Sequence, residues 1–445
     1  MKIKQLVALL LSLCLAAAVA VPVWADEAGE PAPPCQCGDV LQVFVRGFLR
    51  ALYFDYGTEK QKEAFLPLHL LMDERGQSIL PITKTWVIDH DHTENPEYEF
   101  LYDYRLDAFE TAAQLNDFIE TLCKETGHEK IALTGMSQGT SIVMTYVAQY
   151  GTGRLETLIL INGSYQGDIL LGELLTNRWA LSVPALINFI ESLLPASPLV
   201  AAMMNVWRML PLADLRTPAS GDTAGPLGKL LYNWAITRLL GQMPAIWTFV
   251  PTPYREQARK LLDDDKYEYL RTRADLYYNE VQTQVPRLLS EAKEQGVKVA
   301  VIAAYGKAPI PLLDNSYYQG DLIIDTANES GGATTAPMGE TLDPQGRDPR
   351  YLSPDGIIDA STCNLPDQTW FIKYNGHDFL PSEALRMWII HYDTGEGGYP
   401  SIWENENFPQ YLRLTTEGGT EPLDEQPADP PKTLSDAFAR LVEAF

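Results

Sequence analysis

The sequence feature that most constrains the fold is the stretch KIALTGMSQGTSIVMTYVAQYG, which begins at Lys130. Its first residues, Lys130 to Thr134, have the composition of a short buried strand, and residues 138–150 have the spacing of a helix that ends before a glycine. Between them, glycines stand two residues on either side of Ser137. A strand that meets a helix this abruptly forces a tight turn. The pattern therefore predicts that the Ser137 hydroxyl is lifted clear at the carboxyl edge of a sheet.

Similar strand and helix patterns alternate elsewhere in the chain. A helix is predicted from Asp107 to Leu122, where Phe109, Leu115 and Phe118 recur at helical spacing. Such alternation implies an α/β fold with a mostly parallel central sheet and helices on both faces. Further strands are predicted at 40–45, 85–88, 155–161, 297–305 and 369–374.

Composition divides the chain into segments of different character. The first begins with two lysines, continues as an apolar stretch and ends at a small-residue site, as in a cleaved export signal. A long middle segment rich in Leu, Trp, Met and Pro lacks strand patterns, which indicates a helical cap inserted over one end of the sheet. In order, the predicted segments are an export signal at 1–25, an acidic Pro-rich leader at 26–39, the first part of the core at 40–164, the cap or lid at 165–293, the second part of the core at 294–416, a linker at 417–432 and a short helix at 433–445.

Charge excludes one class of partner. The chain has a formal net charge of −25, and removal of an export signal with its two lysines would make it −27. Such a surface repels phosphate polymers, so nucleic acid is not an expected partner. The longest apolar run outside the signal, Ser192 to Trp207, is short and contains two prolines, so no transmembrane helix is predicted. We expect a secreted protein, with peripheral contact to lipid surfaces left open.

Four cysteines follow the export signal: Cys35, Cys37, Cys123 and Cys363. In an oxidising compartment they are expected to form disulfides, and three pairings are open. No second thiol pair matches the close pair at 35 and 37, and the acidic segment IDHDH at 88–92 reads as a solvated loop. Neither a metal nor an organic cofactor is predicted.

A serine hydroxyl becomes nucleophilic only when a base removes its proton and an acid orients that base. With the order Ser, Asp or Glu, His that this strand–serine–helix turn implies, two histidines follow Ser137. His377 follows a predicted strand and an Asn-Gly turn, where loop residues project over the sheet edge. His391 ends an apolar helical run and is expected to pack or to face solvent. His377 is therefore the predicted base.

The acid is less well determined, because two segments look alike. Asp321 in GDLIID and Asp355 in PDGIID each precede two isoleucines, as at a strand exit. Asp355 lies nearer to His377 along the chain, with one turn and one strand between them, so we expect Asp355 to be the acid. Asp321 is the alternative acid, and Asp359 is a third candidate.

Attack on an acyl carbonyl creates an oxyanion, which needs preorganised N–H donors. One predicted donor is the amide of Gln138, the residue after the nucleophile. The second is the amide of Phe48, in the loop after the first strand, where Gly47 lets the backbone turn. A plain strand exit is the alternative reading of this loop.

Seven segments together resemble the lecithin:cholesterol acyltransferase family and its bacterial relatives. They are, in order, VFVRGFL, LYDYRLDAFETAAQLNDFI, GMSQGT, MPAIWTFVP, YGKAPIP, DGIID and GHD. The resemblance spans Val40 to Trp388 and implies an α/β-hydrolase fold and action on lipid acyl esters. It also implies that Ser137 is the nucleophile, His377 the base, Asp355 or Asp321 the acid, and Phe48 with Gln138 the oxyanion donors. Some members of that family hydrolyse and others transfer, so the acceptor stays open.

The sequence thus predicts a secreted serine hydrolase that cleaves or transfers acyl groups of carboxylic esters, most of all lipid esters. Two alternatives stay open. One is a small-ester or peptide hydrolase with the same triad. The other is a non-catalytic surface-binding protein that kept the fold. Asp103 and Arg105, in the YDYR segment, are expected to form a structural charge pair rather than to take part in catalysis.

Overall fold

The structure is a computed structural model of the 445-residue chain. Several sequence predictions fall outside the described residues: the export signal, the leader, the strand at 85–88, the segment 88–92, Phe48, and the C-terminal helix. The described residues are 40–47, 72–73, 76–77, 97–178, 180–193, 198–209, 216–218, 232–310, 318–377, 383–395, 398–415 and 419–424.

An eight-stranded sheet forms the centre of the molecule, with the strand order β12-β11-β10-β7-β4-β3-β1-β2. All neighbouring strands are parallel except β12, which runs antiparallel to β11. The predicted mostly parallel sheet is therefore confirmed. Its strands are β1 Gln42–Val45, β2 Glu97–Phe100, β3 Ile131–Met136, β4 Leu155–Ile161, β7 Lys298–Tyr305, β10 Thr369–Lys373, β11 Tyr411–Leu414 and β12 Thr420–Pro422. Sequence patterns had not indicated β2, β11 or β12.

In the described part of the chain, the sheet is covered by the helices α1 Ala108–Thr126, α2 Gln138–Tyr150, α8 Val285–Glu294 and α10 Glu383–Ile390. Successive side chains of a strand point to opposite faces, so the buried strand β4 serves two cores. Leu158 and Leu160 pack in the core that contains residues of α1, α2 and α8. Ile159 and Ile161 pack in the core that contains residues of α10. Helices thus lie on both faces of the sheet.

Helix α1 shows how local sequence sets the limits of an element. The Asp107 side chain accepts hydrogen bonds from the backbone N–H groups of Phe109 and Glu110, which otherwise have no partner at a helix start. Gly127, at φ 74°, ends the helix in the left-handed conformation that glycine adopts without strain. The predicted helix is confirmed and extends four residues beyond Leu122.

Between β4 and β7 the described chain is mainly helical. A short antiparallel pair, β5 Ala180–Ser182 and β6 Arg216–Pro218, interrupts it. The α-helices are α3 Ile169–Leu175, α4 Val183–Leu193, α5 Pro198–Arg208, α6 Thr252–Arg259 and α7 Glu268–Glu280, followed by α8. Tyr232–Leu240 is π-helical and Pro244–Phe249 forms a 3₁₀ turn.

Between β7 and β10 lie the short helix α9 Thr326–Glu329, a two-stranded ribbon of β8 Thr334–Thr335 and β9 Ile358–Asp359, and the 3₁₀ turns Ala360–Thr362 and Pro366–Gln368. Among the described residues, no helix is both long enough and apolar enough to cross a membrane.

The expected disulfides are not formed at two of their four cysteines. Cys123 and Cys363 are both buried free thiols. Each of the three pairings of four cysteines requires both to be bonded, so that prediction is wrong. Cys123 lies on the buried face of α1 and packs in the core, and burial raises its pKa to about 11. Cys35 and Cys37 lie outside the described residues.

A first prediction concerns the glycine that lets α2 approach β1. A Cβ added at Gly139 would lie 2.0 Å from the carbonyl oxygen of Val45, so backbone must move to accept any side chain. We expect Gly139→Ala to lower the free energy of unfolding by about 2 kcal/mol or more. Gly153→Ala is the control, because a Cβ there meets nothing within 4 Å. Urea denaturation of both variants tests this, and equal stabilities would contradict the packing described.

Candidate active site

Ser137 occupies the turn between β3 and α2 in a strained backbone conformation, with φ 54° and ψ −127°. Positive φ is uncommon for a residue with a side chain and persists only where the surroundings impose it. Here the Ser137 N–H donates to the carbonyl of Ile161, at the end of β4, over 3.0 Å. Its own carbonyl accepts from the hydroxyls of Thr140 at 2.6 Å and Ser164 at 3.2 Å. The turn is thus held from both β4 and α2.

Gly47, which follows β1, lies close to the Ser137 side chain. A Cβ at this position would lie 2.5 Å from the Ser137 Cβ and 2.8 Å from its Oγ. Only a residue without a side chain leaves the hydroxyl in place. The glycine that the sequence marked as a turning point after the first strand therefore also makes room for the serine.

His377 meets Ser137 from the loop after β10. Tyr374, at φ 64°, turns the chain immediately after the strand. The imidazole Nε2 then lies 2.9 Å from the Ser137 Oγ. The side chain of Asn162 donates to the His377 carbonyl over 3.3 Å, which anchors this loop to the end of β4. The structure thus brings together two predicted residues that lie 240 positions apart in sequence.

Asp321 contacts the other nitrogen of the imidazole. Its Oδ2 lies 2.5 Å from the His377 Nδ1, and its backbone carbonyl accepts from the His377 N–H over 2.9 Å. The Oδ1 atom accepts from the N–H groups of Ile323 at 2.9 Å and Ile324 at 2.8 Å. Burial by itself would raise the pKa of Asp321, but the His377 charge and these hydrogen bonds hold that pKa below its usual value. The Asp321 carboxyl is therefore ionised.

The expectation that Asp355 contacts His377 is wrong. Its carboxylate instead accepts from the hydroxyls of Ser353 at 2.6 Å and Tyr305 at 3.1 Å, and forms an ion pair with Lys373 at 3.0 Å. Since Lys373 is itself buried, Asp355 balances a charge inside the core. Asp359, the third candidate, pairs with Arg347 over 2.7 Å.

The physical reason lies in the register of the sheet. Tyr305, the last residue of β7, pairs with Lys373, the last residue of β10, so the loops that follow both strands leave the sheet side by side. Asp321 lies on the first of these loops and His377 on the second. Asp355 is nearer to His377 along the chain. In the folded protein Asp321 is nearer, because its loop leaves the sheet beside the loop that carries His377.

Gln138, the residue after Ser137, begins α2, so its N–H has no acceptor within the helix. The second expected donor, the amide of Phe48, lies outside the described residues. The Gln138 side chain donates to the carbonyl of Tyr104 over 2.7 Å, and the Tyr102 hydroxyl donates to the carbonyl of Arg46 over 2.7 Å. These bonds tie β1 and the residues after β2 to the start of α2.

The expected charge pair between Asp103 and Arg105 is confirmed. Arg105 is fully buried, and two of its guanidinium nitrogens donate to the Asp103 carboxylate at 2.8 Å and 2.6 Å. A buried bidentate pair of this kind fixes backbone geometry when both charges are satisfied. The pair therefore shapes the YDYR segment.

Sequence reasoning missed two buried acids beside the imidazole. Glu329, at the end of α9, is fully buried. One of its carboxyl oxygens, one carboxyl oxygen of Asp321 and one ring nitrogen of His377 all lie within 4.8 Å of one another. Asp168, which caps α3, is also buried. Both acids are visible in the sequence, but only their burial distinguishes them from surface acids. In the group with Glu329, Asp321 already contacts the imidazole Nδ1 directly, which leaves that nitrogen no free lone pair for a metal ion.

A family model described as the alpha/beta hydrolase fold matches residues 76–279. Together with the sheet order, this match shows that the chain has an α/β-hydrolase fold. No curated protein matches the chain.

Solved structures with this fold resemble the chain at low identity. One is MGS-M2, an alpha/beta hydrolase enzyme from a Medee basin deep-sea metagenome library, with 12% identity, coverage of 64% of this chain and 78% of that chain, and a TM-score of 0.22. Another belongs to the carboxylesterases of the thaumarchaeon Nitrososphaera gargenis, with 11% identity, coverage of 60% and 73%, and a TM-score of 0.22. At these values, neither likeness adds information about the reaction.

A second prediction concerns the pH dependence of stability. Burial, together with the nearby carboxylates of Asp325 and Asp321, raises the pKa of Asp168 to about 8 from 3.8. The folded state therefore keeps a proton that the unfolded chain loses above about pH 4, so this group lowers the free energy of unfolding as pH rises from about 4 to about 8. Asparagine keeps the acceptor for the Leu171 N–H and carries no charge.

We expect Asp168→Asn to gain stability relative to the unmodified chain between pH 5 and pH 8, by about 1 kcal/mol or more. Urea denaturation at the two pH values measures the gain. Asp117→Asn, on the exposed face of α1, controls for the loss of one carboxylate. An identical stability difference at both pH values would show that Asp168 is ionised in the folded protein.

Proposed function

We propose that this protein hydrolyses carboxylic esters, with Ser137 as nucleophile, His377 as general base and Asp321 as the acid that orients the base. One observation carries the proposal: an unbroken chain of contacts runs from the Ser137 Oγ to the His377 Nε2 at 2.9 Å, and from the His377 Nδ1 to the Asp321 Oδ2 at 2.5 Å. This arrangement of hydroxyl, imidazole and carboxylate is what nucleophilic acyl chemistry requires. The α/β-hydrolase fold supports it.

In the proposed reaction, the His377 Nε2 takes the Ser137 proton while the Oγ attacks the ester carbonyl carbon. The imidazolium that forms then protonates the departing alcohol as the ester C–O bond breaks, which leaves the acyl group on Ser137. A water molecule, activated by the same imidazole, attacks this acyl-enzyme and releases the carboxylic acid. Asp321 stays ionised throughout and stabilises the imidazolium.

The oxyanion of each tetrahedral intermediate needs N–H donors close to Ser137. The Gln138 amide has the required place at the start of α2. Two contacts support its position: the Gln138 side chain donates to the Tyr104 carbonyl, and Gly47 lies close to Ser137. Phe48 stays the proposed second donor.

We further propose that the preferred esters carry long acyl chains. The segment between β4 and β7 supports this, because its helices α4 and α5 expose large apolar side chains at Leu186, Met203 and Trp207. Exposed apolar residues grouped in one segment are typical of surfaces that meet greasy ligands. The motif resemblance to the lecithin:cholesterol acyltransferase family points to the same substrate class. If an alcohol instead of water attacked the acyl-enzyme, the reaction would be acyl transfer.

A third prediction separates the two candidate acids. We expect Asp321→Asn to slow labelling of Ser137 by a fluorophosphonate probe by about a thousandfold or more, because the imidazole loses the group that fixes its tautomer. Asp355→Asn is the matched control, since Asp355 is an equally buried carboxylate that bonds Lys373 and Tyr305 instead.

Ser137→Ala sets the background for this comparison, and circular dichroism confirms that each variant is folded. The assignment fails if Asp355→Asn abolishes labelling in folded protein while Asp321→Asn leaves it intact. Absence of labelling in the unmodified chain would instead favour the non-catalytic alternative.

A fourth prediction concerns acyl length. Under the proposal, kcat/KM for nitrophenyl esters rises from acetate to decanoate by about tenfold or more, because added methylenes leave water for an apolar surface. Trp207→Ser, on the exposed face of α5, should reduce the gain with chain length and leave acetate hydrolysis unchanged. A rate that falls steadily with chain length would favour the small-ester alternative.

A further inference from the structure

Glu329 is a fully buried carboxyl that the proposed reaction does not use. It lies at the last position of α9, the short helix that follows the Asp321 loop. Its Oε2 accepts from the backbone N–H of Ala304, in β7, over 2.7 Å. Its Oε1 is also buried and receives no hydrogen bond from any donor in the described part of the chain. Such an atom in the centre of a fold needs an explanation.

The Glu329 carboxyl lies beside that of Asp321: one oxygen of each carboxyl and one ring nitrogen of His377 all lie within 4.8 Å of one another. A hydrogen bond between two carboxyl groups requires a proton on one of them. The Asp321 carboxylate accepts from the imidazole and from the N–H groups of Ile323 and Ile324. Those three donors favour an ionised Asp321. If the two carboxyls share a proton, these contacts favour its place on Glu329.

The electrostatic surroundings agree with this assignment. Burial and the neighbouring Asp321 and Asp325 carboxyls raise the pKa of Glu329 well above its usual value. The other titratable groups close to it are His377, across Asp321, and Tyr165, whose hydroxyl donates to the Glu329 backbone carbonyl over 3.0 Å. A cation that pairs with Glu329 does not occur among its described neighbours.

We propose that Glu329 is a positioning residue behind the triad, a neutral carboxylic acid whose Oε1–H donates a hydrogen bond to the Asp321 carboxylate. This inference rests on the proposed function of Ser137, His377 and Asp321. A neutral donor fixes the Asp321 carboxylate in the orientation that meets the His377 Nδ1. It does so without a positive charge, so Asp321 keeps the full negative charge that stabilises the imidazolium.

The alternative state has different consequences. An ionised Glu329 would place two negative charges in contact within the protein interior and would raise the pKa of His377. The neutral state avoids that repulsion and anchors the pair to the sheet through the N–H of Ala304. The two states can therefore be told apart by the titration of the imidazole.

A fifth prediction uses two substitutions of similar size. Glu329→Gln keeps a neutral N–H donor for Asp321 and a carbonyl acceptor for the N–H of Ala304, whereas Glu329→Leu removes both. We expect Glu329→Leu to slow fluorophosphonate labelling of Ser137 by about tenfold to a hundredfold, since Asp321 loses a buried hydrogen bond. Glu329→Gln should recover most of that loss, and the acidic limb of its pH–rate profile should match the unmodified chain.

Glu173→Gln is the control for conversion of another buried glutamate to an amide, because Glu173 accepts from the Tyr254 hydroxyl. A downward shift of the acidic limb in Glu329→Gln by about one pH unit would show that a negative charge had been removed, and would overturn the proposal. Equal losses in Glu329→Gln and Glu329→Leu would also overturn it.

A spectroscopic measurement tests the proton without any turnover. In the Ser137→Ala background at pH 7, the infrared difference spectrum between Glu329 and Glu329→Gln proteins should contain the C=O stretch of a protonated carboxyl group. Absence of that band refutes a neutral Glu329. If the band is present but the unmodified chain is never labelled at Ser137, the protonated Glu329 is supported and the proposed ester hydrolysis is refuted.

Discussion

Parallel pairing of β3, β4, β7 and β10 is the constraint on which the candidate site depends. Parallel strands end at the same edge, so a residue placed just after any of them reaches the same small region. Ser137 follows β3, Asn162 follows β4, Asp321 lies in the loop after β7, and His377 lies in the loop after β10. The hydrogen bonds between these loops are local in space although they join distant parts of the chain.

The site also depends on how buried charge is handled. Asp168, Asp321, Asp325 and Glu329 are all almost inaccessible to water, and they lie near one imidazole. Burial raises the pKa of three of them, while hydrogen bonds and His377 lower the pKa of Asp321. Among these four acids, Asp321 is the one whose pKa is lowered, and it is the one that contacts the imidazole.

Local patterns predicted several elements well, for identifiable reasons. Residues 138–150 and 155–161 form the predicted helix and strand with the same bounds, because their apolar periodicity agrees with the faces that they bury. The pattern failed for β2, Glu97–Phe100, and for β11, Tyr411–Leu414. Both lie toward the edges of the sheet, where burial is incomplete and the apolar signal is correspondingly weak.

By itself, the sequence determined the strand, turn and helix around Ser137, and it reduced the candidate bases to two histidines. These features depend on neighbours within a few residues, so the chain order specifies them. Only the tertiary structure decided between Asp321 and Asp355 and revealed Glu329 behind the acid. Both results depend on which loops leave the sheet side by side and on which carboxyls are shielded from water. The separation of residues along the chain indicates neither.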